Sequence, residues 1–220
     1  MNATAAVPTR LDHIVLATPH LVETVRRFAE LTGVEPILGG DHAGLGSRNY
    51  LVRFTDTSYL EIIGRNPDET VADYRIPFKI GGLTSTRIAT WALRTERISA
   101  VIETAKEAGF DCGEQKTMSR RLPDGSLLSW TLTTPYADDS GVVPFLIDWS
   151  GSFSHPATMT VPQVDLLAFR ALHPSPDSVH PVLTAIGADL EVAVGESGFE
   201  LELRTPRGTV LLDSDFVSSL

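Results

Sequence analysis

Two ionisable residues lie inside apolar stretches of the sequence that are typical of buried strands. His13 lies in Leu11–Ala17, and Glu61 lies in Tyr59–Ile63. If Glu61 faces the interior, its carboxylate must be paired, bound to a metal ion or raised in pKa, because an isolated buried carboxylate is costly. A carboxyl group with a raised pKa suits a general base. Imidazole and carboxylate together also suit a divalent ion such as Fe, Mn, Ni or Zn.

Both residues also have a purely structural interpretation. His13 can be a hydrogen-bonded core residue, and Glu61 can face solvent on an alternating strand. Asp148 ends the apolar segment Val142–Asp148, so the argument made for Glu61 applies to it as well. We therefore take Glu61 as the candidate base, with His13 and Asp148 as candidate pocket residues.

A glycine-rich stretch, Gly39–Asn49, follows the first predicted helix. It lacks the Gly-Lys-Ser/Thr ending of a phosphate-binding loop, and a dinucleotide fingerprint would follow a strand. We expect a loop that brings His42 and Asn49 near the mouth of a pocket. The alternative is a tight turn in which Gly44 and Gly46 supply positive φ angles.

An arginine pair and two tryptophans complete the candidate binding residues. Arg120 and Arg121 can bind a carboxylate or phosphate bidentately, or can be solvated charges on an edge strand. Trp130 and Trp149 can form an aromatic wall for a ligand, or can belong to the core. We select Arg121 and Trp130 as candidate substrate contacts.

Composition excludes several classes of protein. The 220 residues include 28 acidic and 18 basic side chains, and the formal charge of −10 argues against nucleic acid or an anionic membrane as partner. The one cysteine, Cys112, cannot form an intrachain disulfide and has no evident base partner. Residues Met1–Arg10 contain no apolar core of signal-peptide length, and no apolar run approaches the length of a membrane span. We expect a soluble cytoplasmic protein.

Three segments repeat one local pattern, in which an apolar strand precedes an amphipathic helix that ends at a glycine. The strands are Leu11–Ala17, Arg87–Leu93 and Val164–Leu172, and the glycines are Gly33, Gly109 and Gly187. Strand-like segments then follow each helix, so the repeating unit reads β-α-β-β-(β). One such unit cannot bury both faces of its sheet. The copies should therefore pair into a larger curved sheet with the helices outside.

These units define the predicted organisation of the chain. Residues 1–64 form a first βαβββ module, 65–86 a linker and 87–150 a second βαβββ module. Residues 151–163 form another linker, and 164–220 form a third, shorter βαββ(β) unit packed on the same domain.

The first module resembles a known family. Residues 11–36 (LDHIVLATPHLVETVRRFAELTGVEP), 39–54 (GGDHAGLGSRNYLVRF) and 59–64 (YLEIIG) are similar to the glyoxalase-like domain of the vicinal oxygen chelate superfamily. The resemblance implies an α+β fold in which tandem βαβββ modules form curved mixed sheets around a cup-shaped pocket, with helices outside. The superfamily includes metal-dependent isomerases, epimerases and ring-cleaving dioxygenases, and also antibiotic-binding proteins without catalysis.

The resemblance also carries expectations about the site. Catalytic relatives take metal ligands from the first and last strands of two paired modules, and His13 and Glu61 match those positions in the first module. The second module offers Ala89 or Thr90, and Leu146 or Asp148, at the corresponding places. A divalent metal and no cofactor at all are equally compatible with this set.

The sequence therefore predicts one leading function and one alternative. The leading function is a lyase, isomerase or dioxygenase acting on an oxygen-rich or carbonyl compound. Glu61 would be the base or a metal ligand, His13 a metal ligand or hydrogen-bond donor, and Arg121 the substrate anchor. The alternative is a metal-free protein that binds a small molecule, as bleomycin-resistance proteins do. We expect a small-molecule partner and a possible homodimer.

Overall fold

The computed structural model of the chain describes residues 6–42, 44–121, 127–134, 140–152, 154–159 and 161–213, without the side chains of Arg120 and Arg121. The first module consists of β1 (Leu11–Thr18), α1 (Leu21–Thr32), β2 (Ile37–His42), β3 (Ser47–Thr55) and β4 (Ser58–Arg65). The second consists of β5 (Arg87–Arg94), α2 (Ile98–Glu107), β6 (Gln115–Arg121), β7 (Leu127–Thr133) and β8 (Phe145–Asp148). Both modules therefore have the predicted βαβββ order.

The two modules share one eight-stranded mixed sheet. Its strand order is β2-β3-β4-β1-β5-β8-β7-β6, and the first strands of the two modules, β1 and β5, pair antiparallel at its centre. Within each module the first and last strands pair parallel, β1 with β4 and β5 with β8. The sheet curls strongly enough that its edge strands β2 and β6 contact each other. This confirms the predicted α+β class with a curved mixed sheet.

The sheet buries both of its faces, because β1 is apolar on each side. Ile14 and Leu16 pack with Phe28 of α1 in the core beneath the helices. Val15 and Ala17 point to the concave face, which we call the cup. Three helices pack outside the strands, and among the described residues each is too short or too polar to span a membrane.

The third unit forms a separate, four-stranded sheet. It consists of β9 (Asp165–His173), α3 (Pro176–Ala185), β10 (Glu191–Val194), β11 (Gly198–Thr205) and β12 (Gly208–Leu212). The strand order is β10-β9-β11-β12, so the unit repeats the βαβββ order of the other two. Phe169 of β9 meets Trp91 of β5 edge-to-face at 6.1 Å, which joins this unit to the core of the first two modules.

Two segments differ from their predicted roles. Residues 39–42, expected in a loop, belong to the edge strand β2, whereas Gly44 and Gly46 take the positive φ angles of the predicted turn. The segment predicted as the first linker folds over the cup as two short 3₁₀ helices, Asp73–Arg75 and Pro77–Gly82.

Side chains of this segment enter the structure. Ile76 and Ile80 are buried against the concave face of the sheet. Phe78 and Lys79 between them hold positive φ angles of 56° and 58°, a conformation that is costly outside glycine. The segment is therefore held in place by packing, and it forms one wall of the cup.

Candidate functional site

The cup encloses an open cavity of about 1220 Å³. Strands of both modules and the segment 73–82 line it. A cavity of this size holds a drug-sized molecule, since ligand pockets in proteins typically measure about 300–1,000 Å³. The predicted site residues His13, His42, Asn49, Glu61 and Trp130 all line it, so the fold brings together residues that are far apart in the sequence.

His13 is oriented by its neighbour Asp12. The His13 Nδ1 atom lies 2.7 Å from the Asp12 Oδ1 atom, and the Asp12 side chain is fully buried. An ionised carboxylate only accepts hydrogen bonds, so Nδ1 carries the hydrogen and Nε2 faces the cavity. This places the reactive nitrogen of the imidazole on the Glu61 side of the cup.

A β-bulge makes this arrangement possible. Between β1 and β5, Leu11 pairs with Leu93 and His13 pairs with Ala92, so Asp12 is an extra residue in β1. Regular alternation would place Asp12 and His13 on opposite faces of the sheet, whereas a bulge re-aims a side chain locally. Asp12 can therefore contact the ring of the residue that follows it.

Two more N–H groups converge on Asp12 from the end of the second module and the segment after it. The Trp149 Nε1 atom donates to Asp12 Oδ2 at 3.0 Å, and the His155 Nε2 atom lies 3.1 Å from the same oxygen. His155 Nδ1 accepts the Ala157 N–H at 3.2 Å, so the His155 hydrogen is on Nε2 and points at Asp12.

These hydrogen bonds keep Asp12 ionised. Burial alone raises the pKa of Asp12, but the hydrogen bonds from His13 and His155 and their charge interactions outweigh it and hold the pKa below its ordinary value. A buried carboxylate behind an imidazole fixes the tautomer and the orientation of the ring, as in other carboxylate–histidine pairs.

Glu61 faces His13 across a short gap. Its Oε1 atom accepts a hydrogen bond from Asn49 Nδ2 at 2.5 Å, and its Oε2 atom lies 3.9 Å from His13 Nε2. Both side chains are buried, and 3.9 Å is too long for a direct hydrogen bond. The gap therefore leaves these two atoms able to share a polar group of a ligand.

Aromatic rings surround this pair. Tyr59 stacks on the His13 ring with 4.8 Å between the ring centroids. Phe145 packs edge-to-face on the same ring with a centroid distance of 5.3 Å. The rings of Trp130 and Trp149 pack against each other with 5.3 Å between their centroids, and both line the cavity. The polar pair thus lies at the floor of a largely apolar chamber.

The remaining predicted residues are placed differently. His42 lines the cavity and contacts Ser47 Oγ through its Nδ1 atom at 2.9 Å. Asp148 is buried but does not line the cavity, because Phe145, Ile147 and Trp149 do so, and its Oδ1 atom accepts the N–H of Ser150.

For Arg121, the strand position in β6 is described, but its side chain lies outside the described part of the structure. Asp12 and His155 also belong to the site, although neither was predicted from the sequence. Asp12 is a charged residue next to His13 in an apolar strand, and His155 lies in a predicted linker, and these positions are the indications that the sequence offers.

The donor set does not fit a three-ligand divalent metal site. Two oriented donors, His13 Nε2 and Glu61 Oε2, face each other, and the described residues contain no group of three or more His, Cys, Asp or Glu side chains placed to hold a metal ion. The second module offers Ala89 and Thr90 on β5. Catalytic zinc sites usually have three protein ligands, so these two donors fall short of such a site.

One solved structure shows the same fold as this chain, and two further solved structures are similar to it to a lesser degree. A crystal structure of a hypothetical protein from Staphylococcus aureus is 15% identical in sequence, covers 94% of this chain and 85% of its own, and superimposes with a TM-score of 0.61. Methylmalonyl-CoA epimerase from Streptomyces coelicolor, solved with 2-nitronate-propionyl-CoA, is 20% identical over 66% of this chain and 99% of its own, with a TM-score of 0.42. The methylmalonyl-CoA epimerase from Mycobacterium tuberculosis is 17% identical in sequence and has a TM-score of 0.39. The match covers 67% of this chain and 92% of the epimerase.

Sequence comparison identifies the family. A search of functionally characterised proteins finds no match to this sequence. The family model described as a glyoxalase-like domain matches residues 11–187, which include both modules of the cup and the first half of the third unit. The chain therefore belongs to the glyoxalase-like domain family.

Proposed function

We propose that the protein is a small-molecule enzyme that moves a proton between the carbon next to a carbonyl group and the carbonyl oxygen. The observation that carries this proposal is the buried set Asp12, His13, Glu61 and Asn49, which presents one imidazole nitrogen and one carboxylate oxygen to the same point of the cavity. Such a reaction is an isomerase or lyase step, and it needs an acid and a base within reach of one substrate.

The two groups have complementary roles. Glu61 Oε2 accepts the proton from the carbon, while the Asn49 amide holds Oε1 and fixes the carboxylate. The protonated form of His13, with the Asp12 carboxylate behind it, donates the Nε2 hydrogen to the carbonyl oxygen. One proton leaves carbon and one reaches oxygen, so the substrate becomes an enol without a change of charge. In an α-hydroxycarbonyl substrate this product is an enediol. Glu61 then gives its proton to the former carbonyl carbon, and the hydroxyl on the neighbouring carbon gives its proton to His13 Nε2, which forms the isomer and restores both groups.

Deuterium exchange in D₂O tests the proposal without knowledge of the physiological substrate. Aldehydes, ketones and hydroxyketones are incubated with the protein, and ¹H NMR measures the loss of the signal of the proton next to the carbonyl. We expect catalysed exchange for at least one aryl ketone. The variant Glu61→Gln should lower its rate by about 100-fold or more, because an amide cannot accept the proton.

The control is Glu200→Gln, which removes a carboxylate that pairs with Arg170 in the third unit, away from the cup. It should exchange at the wild-type rate. Exchange that is equally fast in Glu61→Gln and in the wild type would refute the role of Glu61.

A second candidate function is binding without turnover, and the aromatic walls of the cavity favour it. In that case aromatic compounds would quench the fluorescence of Trp130 and Trp149, and no bound carbonyl compound would exchange deuterium. Catalysed exchange of any bound compound would exclude this alternative.

Chelation tests the metal hypothesis. Because the described residues place two metal donors at the site, we expect exchange to survive dialysis against EDTA unchanged. If exchange is lost and a divalent ion restores it, a further ligand completes a metal site and the metal-free roles given above are wrong.

A further inference from the structure

The interior of the cavity leaves a ligand very few polar contacts. Thr90 Oγ1 donates to the Gly141 carbonyl at 3.0 Å, and Thr133 Oγ1 accepts the Leu146 N–H at 3.0 Å. These wall hydroxyls therefore already bond to backbone groups. The aromatic rings next to His13 and Glu61 therefore offer a ligand apolar surface around this polar pair.

The mouth of the cavity has the opposite character. Four exposed cationic side chains line it: Arg75, Lys79, Arg87 and Lys116. This concentration is unexpected in a chain with a formal charge of −10. Exposed cations at the entrance of a low-dielectric cavity attract anions and hold them at the rim.

Two acidic side chains that also line the cavity have partners close to them in the sequence. Asp73 forms an ion pair with Arg65, and the Asp111 carboxylate accepts the Gly113 N–H at 2.8 Å. Arg75 and Arg87, in contrast, form no ion pair with any described residue. Their guanidinium groups come from two different walls, the segment folded over the cup and the start of β5. Both are available to a ligand anion, and guanidinium binds carboxylate or phosphate bidentately.

The size of the cavity fits a long ligand. At about 1220 Å³ it exceeds what a carbonyl compound of three or four carbons would fill. A ligand that occupied the floor alone would leave the aromatic walls in contact with water.

We propose that the substrate is an amphipathic acid, with a carbonyl group at one end, an aromatic or aliphatic body, and a carboxylate or phosphate at the other end. The carbonyl lies between His13 and Glu61, the body lies against the aromatic walls, and the anion meets Arg75 and Arg87 at the mouth. This assignment rests on the proposed function for the carbonyl end, whereas the anionic end rests on the charges of the rim.

Binding of matched acids and esters tests the assignment. The probe is 4-(4-acetylphenyl)butanoate, compared with its methyl ester, and binding is followed by tryptophan fluorescence at low ionic strength. We expect the acid to bind about five- to tenfold more tightly than the ester, because two exposed charge pairs each contribute modestly. Added salt should reduce this preference.

The double variant Arg75→Gln/Arg87→Gln should bind the ester as the wild type does and lose the preference for the acid. The control Arg97→Gln/Arg204→Gln removes the same charge from exposed positions outside the cavity and should keep the preference. Equal affinity for acid and ester in the wild type, an unchanged preference in the rim variant, or no binding of either compound at millimolar concentration would each overturn the assignment.

The same samples separate the two proposals. Deuterium exchange of the bound ketone reports on Glu61, and the acid-over-ester preference reports on the rim. If the acid binds more tightly than the ester but no exchange occurs, the proposed function is wrong and the anion site at Arg75 and Arg87 is supported. If acid and ester bind equally well and both exchange at the same rate, the proposed function is supported and the anion site is wrong.

Discussion

At the scale of single residues, Asp12 supports the proposed chemistry although it does not line the cavity itself. It accepts hydrogen bonds from His13, Trp149 and His155, and the structure buries it completely. The three donors replace the water that the carboxylate loses on burial. The carboxylate in turn determines which nitrogen of His13 faces the substrate.

The variant Asp12→Asn should disrupt this orientation. An amide can donate to His13 Nδ1 and so favour the tautomer with the hydrogen on Nε2, and it supplies no negative charge behind the ring. We expect the exchange rate to fall by about 100-fold or more. ¹⁵N NMR of the imidazole should show the hydrogen moving from Nδ1 to Nε2. A wild-type exchange rate in a folded Asp12→Asn protein would contradict this role.

Asp12 also predicts how stability responds to acid. Its pKa in the folded protein is below the ordinary value of 3.8, so the unfolded chain binds this proton more readily. Its contribution to the free energy of unfolding is therefore fully present above about pH 4, and is lost as the pH falls through the lower folded value. Urea unfolding between pH 2 and pH 6 should show a smaller loss of stability in Asp12→Asn than in the wild type. If the free energy of unfolding falls with pH by the same amount in both proteins, the lowered pKa of Asp12 is contradicted.

At the scale of elements, the strands and helices with a clear period were predictable. The apolar run of β1 and the helical spacing in α1 identify both elements, and Gly33 ends the helix with a positive φ of 74°. The edge strand β2 was not predictable, because Gly39, Gly40 and Asp41 have low strand propensity. Its conformation comes from pairing with β3, a contact between separate segments.

The candidate site was predictable in part for the same reason. His13 and Glu61 stand out as ionisable residues in apolar strands, and a family resemblance places them together. The bulge at Asp12 depends on the register of β1 against β5, and the approach of His155 depends on the path of a connecting segment. Neither feature follows from a local sequence pattern, so the hydrogen bonds around Asp12 could not be predicted from the sequence.

Gly39 of β2 supports the site through Asn49. A Cβ atom at this position would lie 2.4 Å from Asn49 Oδ1 and 2.8 Å from Leu51 Cγ. Gly39→Ala should therefore shift Asn49 away from Glu61, lower the exchange rate, and destabilise the fold by about 1–3 kcal/mol. Gly151→Ala is the control, since this residue does not line the cavity and a Cβ there meets no atom within 4 Å, and it should be neutral. Equal stability and activity of the two variants would show that Gly39 has no such role.

For the whole molecule, one continuous core joins the cup and the third unit. Phe169 of β9 contacts Trp91 of β5 and stacks on Phe199 of β11 at 5.4 Å. All three side chains are fully or almost fully buried. The third unit therefore shares its apolar core with the second module.

This shared core predicts a single unfolding transition. Phe169→Ala should destabilise the protein by about 3–5 kcal/mol, because it removes a buried ring between two sheets. The unfolding midpoint measured by near-UV circular dichroism, which reports on the packed aromatic side chains, should shift together with the midpoint measured by far-UV circular dichroism. Val194→Ala, at an exposed position of the third unit, should change stability by less than about 0.5 kcal/mol. Two separate transitions in the wild type would show that the third unit folds independently.

The unequal walls of the cup have a stereochemical consequence. His13 and Glu61 lie on the neighbouring strands β1 and β4, whereas β5, β7 and β8 present Ala92, Trp130 and Phe145 to the cavity side. A planar enol bound between these walls meets proton-transferring groups on one of its faces and apolar surface on the other. Deuterium should therefore replace hydrogen with retention of configuration, and a chiral ketone should keep its optical rotation while it is labelled.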